Sequence, residues 1–194
     1  MRPRSRLRDA RLIDSLELLP RRSFEGTAWR AVREGRDPRQ CSAPGGRWDD
    51  GTFDVLYTSL LREGALAEIY FHLLRGQPVF PTRVRYVLFE LKVTLAATLQ
   101  FPKLADLAKL ELETSRYGQL SYADRTQEYP RTQDIGEVAH FLDCDGLMLP
   151  CARWPCANLI LFCDKLSDNT VEVTREHGPI DWASWAIRAS SESM

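Results

Sequence analysis

The chain has 194 residues, 44% of them hydrophobic and 27% charged, with a formal net charge of −1 at pH 7. That length is most simply one domain with a short arm, and that balance excludes a fully disordered chain. Apolar runs such as 159–163 fall far short of the ~20 residues of a membrane helix, and no apolar stretch follows the basic start to act as a secretory signal, so a soluble, cytoplasmic protein is expected.

Residues 1–11 carry five Arg against one Asp. Such an arm can touch nucleic acid or an acidic partner. Without zinc-ligand spacing, a long basic helix or an interleaved aromatic and basic patch, direct nucleic-acid binding is not expected. Leu12, Ile13, Leu16 and Leu19 recur at helical spacing, which predicts a short amphipathic helix stopped by Pro20. Residues 29–32 read as a short strand, and 35–46, with Pro38, Pro44 and Gly45-Gly46, as a loop. Asp50-Gly51 marks a turn before a strand over 53–59.

The clearest helix is predicted over 63–74, where Leu66, Ile69, Tyr70 and Leu73 form one stripe and Gly76 closes it. Pro81 precedes a strand over 84–92, and Pro102 a helix with Leu104, Leu107 and Leu110 in register. Residues 115–131 are polar, rich in Tyr and Gln, and fit no pattern. A helix follows over 132–142 with Thr132 as N-cap. Strands over 145–150 and 158–163 flank a loop holding Arg153, Trp154 and Pro155, and 171–174 suit an edge strand. No repeat and no GxGxxG is present. Strands and helices mingle without βαβ alternation, so the expected class is mixed α/β (α+β) around a compact sheet.

The five cysteines (41, 144, 151, 156 and 163) form no CxxC, and their odd number points to reduced thiols. A zinc site built from Cys144, Cys151, Cys156 and a His fails on spacing, so no metal is expected.

Three regions could carry chemistry. In Gly45-Gly46-Arg47-Trp48-Asp49-Asp50-Gly51, the glycines permit close backbone approach and the guanidinium offers a fork for phosphate; a surface turn with Arg47 stacked on Trp48 is the competing reading. Glu68 and His72 stand four apart on one helix face, suited to a general base or, on spacing alone, to a surface pair. Cys151 ends a strand, where a small buried residue is commoner than a nucleophile, and no motif ties it to a His.

In order along the chain, Trp29-Arg30, Gly-Gly-Arg-Trp-Asp at 45–49, Leu-Tyr-Thr-Ser at 56–59 and Ala-Leu-Ala-Glu at 65–68 resemble the RES domain. Asp-Gly-Leu-Met-Leu-Pro-Cys-Ala-Arg at 145–153 and Asn158-Leu159-Ile160-Leu161-Phe162 extend the resemblance, which covers about residues 26–165. It implies an arm and short helix over 1–25 and a RES domain over 26–194, with an ADP-ribosyltransferase-like sheet core flanked by helices. RES domains are mostly toxins of bacterial toxin–antitoxin operons that consume NAD+, and their partner is an Xre/ParS-type antitoxin that occludes the active site. Some hydrolyse or phosphorolyse NAD+ and others pass ADP-ribose to a protein target. The sequence leaves that acceptor open, and also leaves open a binding module that keeps the fold without turnover.

Residue by residue, the resemblance places the family Arg at Arg47, its Tyr at Tyr57, its Glu at Glu68 and a further Arg at Arg30. The family Ser, a substrate contact in relatives, falls on Cys151, which the resemblance thus places among the NAD+-binding residues, and the usual Asn after Arg-Trp is Asp49, which adds a negative charge near an anion site. Cleavage of the nicotinamide–ribose bond passes through an oxocarbenium-like centre, as in glycoside hydrolysis. Glu68 then stabilises the charge, Arg30 and Arg47 clamp the pyrophosphate, and Tyr57 stacks on nicotinamide.

Overall fold

A computed structural model describes residues 8–74, 84–119, 124–127 and 129–192. The first helix, α1 (Ala10–Glu17), starts where Asp9 Oδ1 accepts the amides of Arg11 and Leu12, and it buries Leu12 and Leu16 completely. Asp9 Oδ2 also meets Arg131 Nη1 at 2.9 Å, which ties the N-terminal helix to the later part of the chain. The expected division between residues 25 and 26 falls inside the first strand, β1 (Arg22–Arg33). That strand is far longer than the 29–32 read from the sequence. Its length comes from pairing with β3 (Tyr86–Gln100), which local composition does not reveal.

Between them lie β2 (Val55–Ser59) and α2 (Arg62–Leu74). Gly76 and Pro81 fall outside the described residues. In β3, Leu91, Val93 and Leu95 point inward while Lys92 and Thr94 point to solvent, the period-2 pattern of a half-buried strand. The short α3 (Leu104–Ala108) and then α4 (Tyr129–Phe141) follow. The second starts at Tyr129, three residues before the expected cap; Thr132 lies inside it, and its hydroxyl donates to the Tyr129 carbonyl at 3.1 Å. The chain continues through β4 (Gly146–Pro150), β5 (Ala157–Phe162), β6 (Val171–Pro179) and α5 (Trp182–Glu192).

Strands β6, β3 and β1 form one antiparallel layer, and β2, β5 and β4 another. The two layers join where the last residues of β3 run parallel to β4 and where Trp29 pairs with Ser59. One apolar cluster, including Leu12, Leu99, Ile135, Leu147 and Phe162, lies under α1 and α4. Another packs Ala28, Leu56, Leu91, Leu159 and Leu161 between the strand layers. A third joins α2 and α5 through Leu66, Leu88 and Trp185, with Tyr70 and Trp182 against it. No helix among the described residues is long and apolar enough to cross a membrane.

The thiols depart from expectation. Cys41 and Cys163 form a disulfide, so the chain does not hold five reduced cysteines. The cause is strand register. Ser42 exchanges both backbone hydrogen bonds with Val55, and the Cys163 amide donates to the Asp54 carbonyl, which brings residues 41 and 163 side by side. Cys144, Cys151 and Cys156 are free.

Candidate active site

The sheet layers and α2 enclose a cavity of about 390 Å³, within the size range of small-molecule sites. Arg30, Arg47, Tyr57 and Glu68 all line it. Four positions spread over 39 residues of sequence therefore face one volume.

The loop between β1 and β2 carries Arg47, and Asp49 shapes that loop. Asp49 is fully buried, and its carboxylate accepts the amides of Gly45 (2.7 Å) and Gly46 (2.9 Å) and the hydroxyl of Tyr57 (2.7 Å). The Tyr57 oxygen in turn accepts the Trp48 amide at 3.0 Å. Burial and the Asp49 carboxylate both push the Tyr57 hydroxyl well above its usual range, so it stays protonated and donates. Gly45 sits at φ +65°, and a side chain on Gly46 would come within 2.7 Å of the Tyr57 oxygen. Two glycines are thus required for the loop to close over Asp49. The extra negative charge is consumed beneath the loop and does not line the cavity.

Trp48 is buried and does not stack on Arg47; the Arg47 guanidinium lies over Tyr117, 4.7 Å from the ring centre. The segment therefore does not form the stacked Arg47–Trp48 pair of the competing reading. Tyr117 and Tyr129, from the stretch that fits no sequence pattern, supply two walls of the cavity.

Arg30 reaches the cavity from β1. Its Nη2 donates to the Gln40 carbonyl at 3.1 Å, while Nη1 is buried with no hydrogen-bond partner among the described residues. Burial lowers its pKa to about 10, so the group stays cationic at neutral pH. A buried guanidinium with an unsatisfied donor suits an anion.

Glu68 projects from α2 into the cavity. Its Oε1 accepts Asn158 Nδ2 at 3.1 Å and lies 3.3 Å from the Cys151 sulfur, an arrangement of a fixed carboxylate and not of a surface Glu68–His72 pair. His72 lines the same cavity. Cys151 does not line it; its thiol stands behind Glu68, where the family Ser was expected to reach ligand. The neighbouring Cys156 thiol, burial and Glu68 all raise the Cys151 thiol pKa, which keeps it a donor.

Arg153 and Asn158 stand in the quoted motifs, but sequence reading assigned them no role. Asn158 faces Ser59 across the β2–β5 ladder, which aims its amide at Glu68. Arg153 lies over the Phe71 ring and donates to the Gly118 carbonyl. Only strand register and loop closure bring these groups to the site.

The sequence profile of the RES domain matches residues 20–183. No curated protein matches the chain. Among solved structures, a chain in the crystal structure of the M. tuberculosis MbcT–MbcA toxin–antitoxin complex is similar, with a TM-score of 0.75 at 16% identity. The match covers 92% of this chain and 97% of that one.

Proposed function

Since the chain belongs to the RES domain family, we propose that it is the toxin of a toxin–antitoxin pair and consumes NAD+ by breaking the nicotinamide–ribose bond. The observation that carries the reading is the buried Nη1 of cationic Arg30, without a hydrogen-bond partner among the described residues, in the same cavity as Arg47 and the fixed carboxylate of Glu68. A pyrophosphate would satisfy Arg30 Nη1 and take a second cation from Arg47. The aromatic walls, Tyr57, Tyr117 and Tyr129, suit flat heterocycles.

With the pyrophosphate so held, Glu68 is the group placed to face the developing positive charge on the ribose. The C1′–N bond breaks with its electron pair moving to the ring nitrogen. Nicotinamide leaves as a neutral molecule, and the departing group needs no strong acid. Asn158 and Cys151 hold the Glu68 carboxylate in place, so it spends little reorganisation at the moment of bond cleavage. The acceptor attacking C1′ is water, phosphate or a side chain of a protein target. The partner is a cognate antitoxin of Xre/ParS type covering the cavity mouth, in keeping with the toxin–antitoxin complex to which the fold is similar.

The test is mass spectrometry of NAD+ products from purified protein, with and without phosphate and cell lysate. Free nicotinamide is expected in every arm, while the ADP-ribose product identifies the acceptor. Glu68→Gln keeps an acceptor for Asn158 but loses the charge, and turnover should fall by roughly 10²-fold or more. Intact NAD+ after incubation with folded wild type, or equal turnover by Glu68→Gln, overturns the reading.

A further inference from the structure

We propose that Cys151 and Cys156 form a peroxide-oxidisable dithiol behind Glu68, whose closure to a disulfide withdraws a hydrogen bond from that carboxylate. The placement follows from hairpin register. Strands β4 and β5 pair Pro150 with Ala157, and the Cys151 amide donates to the Cys156 carbonyl at 2.9 Å. The two cysteines thus follow the last pair of the ladder as cross-strand neighbours joined by a single backbone hydrogen bond, since the Cys156 amide donates to the Trp154 carbonyl at 2.7 Å. Cα atoms of cross-strand neighbours lie about 4.5–5.5 Å apart, inside the range of about 4.4–6.8 Å that a disulfide bridges.

The surroundings differentiate the two sulfurs. Cys156 is the more exposed, and its sulfur lies 3.4 Å from the Ser59 hydroxyl. The neighbouring Cys151 thiol and the Ser59 hydroxyl lower its pKa to about 7, against the opposing effects of burial and Glu68. Cys151 is buried, with its S–H donating to Glu68 Oε1. These are the features of an attacking thiolate and a resolving thiol.

The chemistry balances with a hydroperoxide as oxidant. The Cys156 thiolate attacks the peroxide O–O bond and, with one proton, gives a sulfenic acid and the alcohol or water. The Cys151 sulfur then displaces that hydroxyl: the S–S bond forms, the S–O bond breaks, and the Cys151 proton leaves with the oxygen as water. Cys151 no longer carries a proton for Glu68 Oε1, leaving Asn158 as its remaining donor of the two. The movement also reaches α2, because the bare Cα of Gly64 packs directly against Cys156 Sγ and Ser59 Oγ. The effect on turnover rests on the NAD+ reading above; formation of the disulfide does not.

The experiment treats native, full-length protein with hydrogen peroxide, then blocks and counts thiols in denaturant. Three free thiols should fall to one, with fragmentation of digested peptides linking Cys151 to Cys156. NAD+ consumption should fall at least tenfold. Cys156→Ala, tested alongside, should keep both its remaining thiols and its turnover in peroxide. Overoxidation of Cys156 with Cys151 still blockable overturns the dithiol, as does a formed disulfide that leaves turnover unchanged. Disulfide formation in a protein that consumes no NAD+ when reduced would instead overturn the proposed function and the coupling to it, leaving the modification site standing.

Discussion

Substitution of Asp49 separates hydrogen bonding from shape in the loop that presents Arg47. The fully buried carboxylate accepts from Gly45 through Oδ1 and from Gly46 and Tyr57 through Oδ2. In Asp49→Asn, the amide has one acceptor oxygen. With that oxygen at the Oδ1 position, the Gly46 amide and the Tyr57 hydroxyl proton both lose their acceptor; with the oxygen at Oδ2, only the Gly45 amide is stranded. The second orientation is therefore favoured and leaves one donor unsatisfied, at a cost of about 1–3 kcal/mol. Asp49→Ala strands all three donors. Because water reaches part of the loop, the expected cost is about 3–6 kcal/mol, a large share of the 5–15 kcal/mol that typically stabilises a domain. For a chain of this length each kcal/mol moves Tm by about 2–4 °C. Thermal unfolding should therefore rank wild type above Asn above Ala, with drops of roughly 2–12 °C and 6–24 °C. Calorimetric titration should show NAD+ affinity falling in the same order, because Arg47 rides on this loop. Equal Tm values for the Asn and Ala proteins would refute the accounting, since the variants differ in how many donors they strand.

Two other perturbations test the site and its frame. Arg47→Lys keeps the charge but loses the planar fork and the stack over Tyr117; NAD+ affinity in a Glu68→Gln background should drop about 10- to 150-fold with Tm nearly unchanged, and equal affinities would assign Arg47 a structural role. The Cys41–Cys163 disulfide spans 122 residues of sequence, so a Cys41→Ser/Cys163→Ser protein should lose about 2–5 kcal/mol, or roughly 4–20 °C in Tm; an unchanged Tm would mean that the backbone pairing of Ser42 with Val55 holds the loop without it.

The local chemistry of the chain was legible before any coordinates. Helix α2 shows in its apolar spacing and α1 in Leu12 and Leu16, because both patterns have the period of the element itself. Arg30, Arg47, Tyr57 and Glu68 were identifiable because each sits in a short stretch that resembles its family counterpart, and the fold carries all four to one cavity. Tertiary structure alone decided what depends on register between distant strands. The long pairing of β1 with β3 and the Cys41–Cys163 bond are properties of two segments at once, so no window along one segment contains them. The same holds for Tyr117 and Tyr129, which come from a stretch without periodicity and become cavity walls only when α4 packs beside the loop. Asp49 is the sharpest case. In sequence it is a charge added near an anion site, whereas in the fold three donors surround it and it supports the cation two residues before it. A side chain's charge is written in the sequence, but the groups that neutralise or solvate it are chosen by packing.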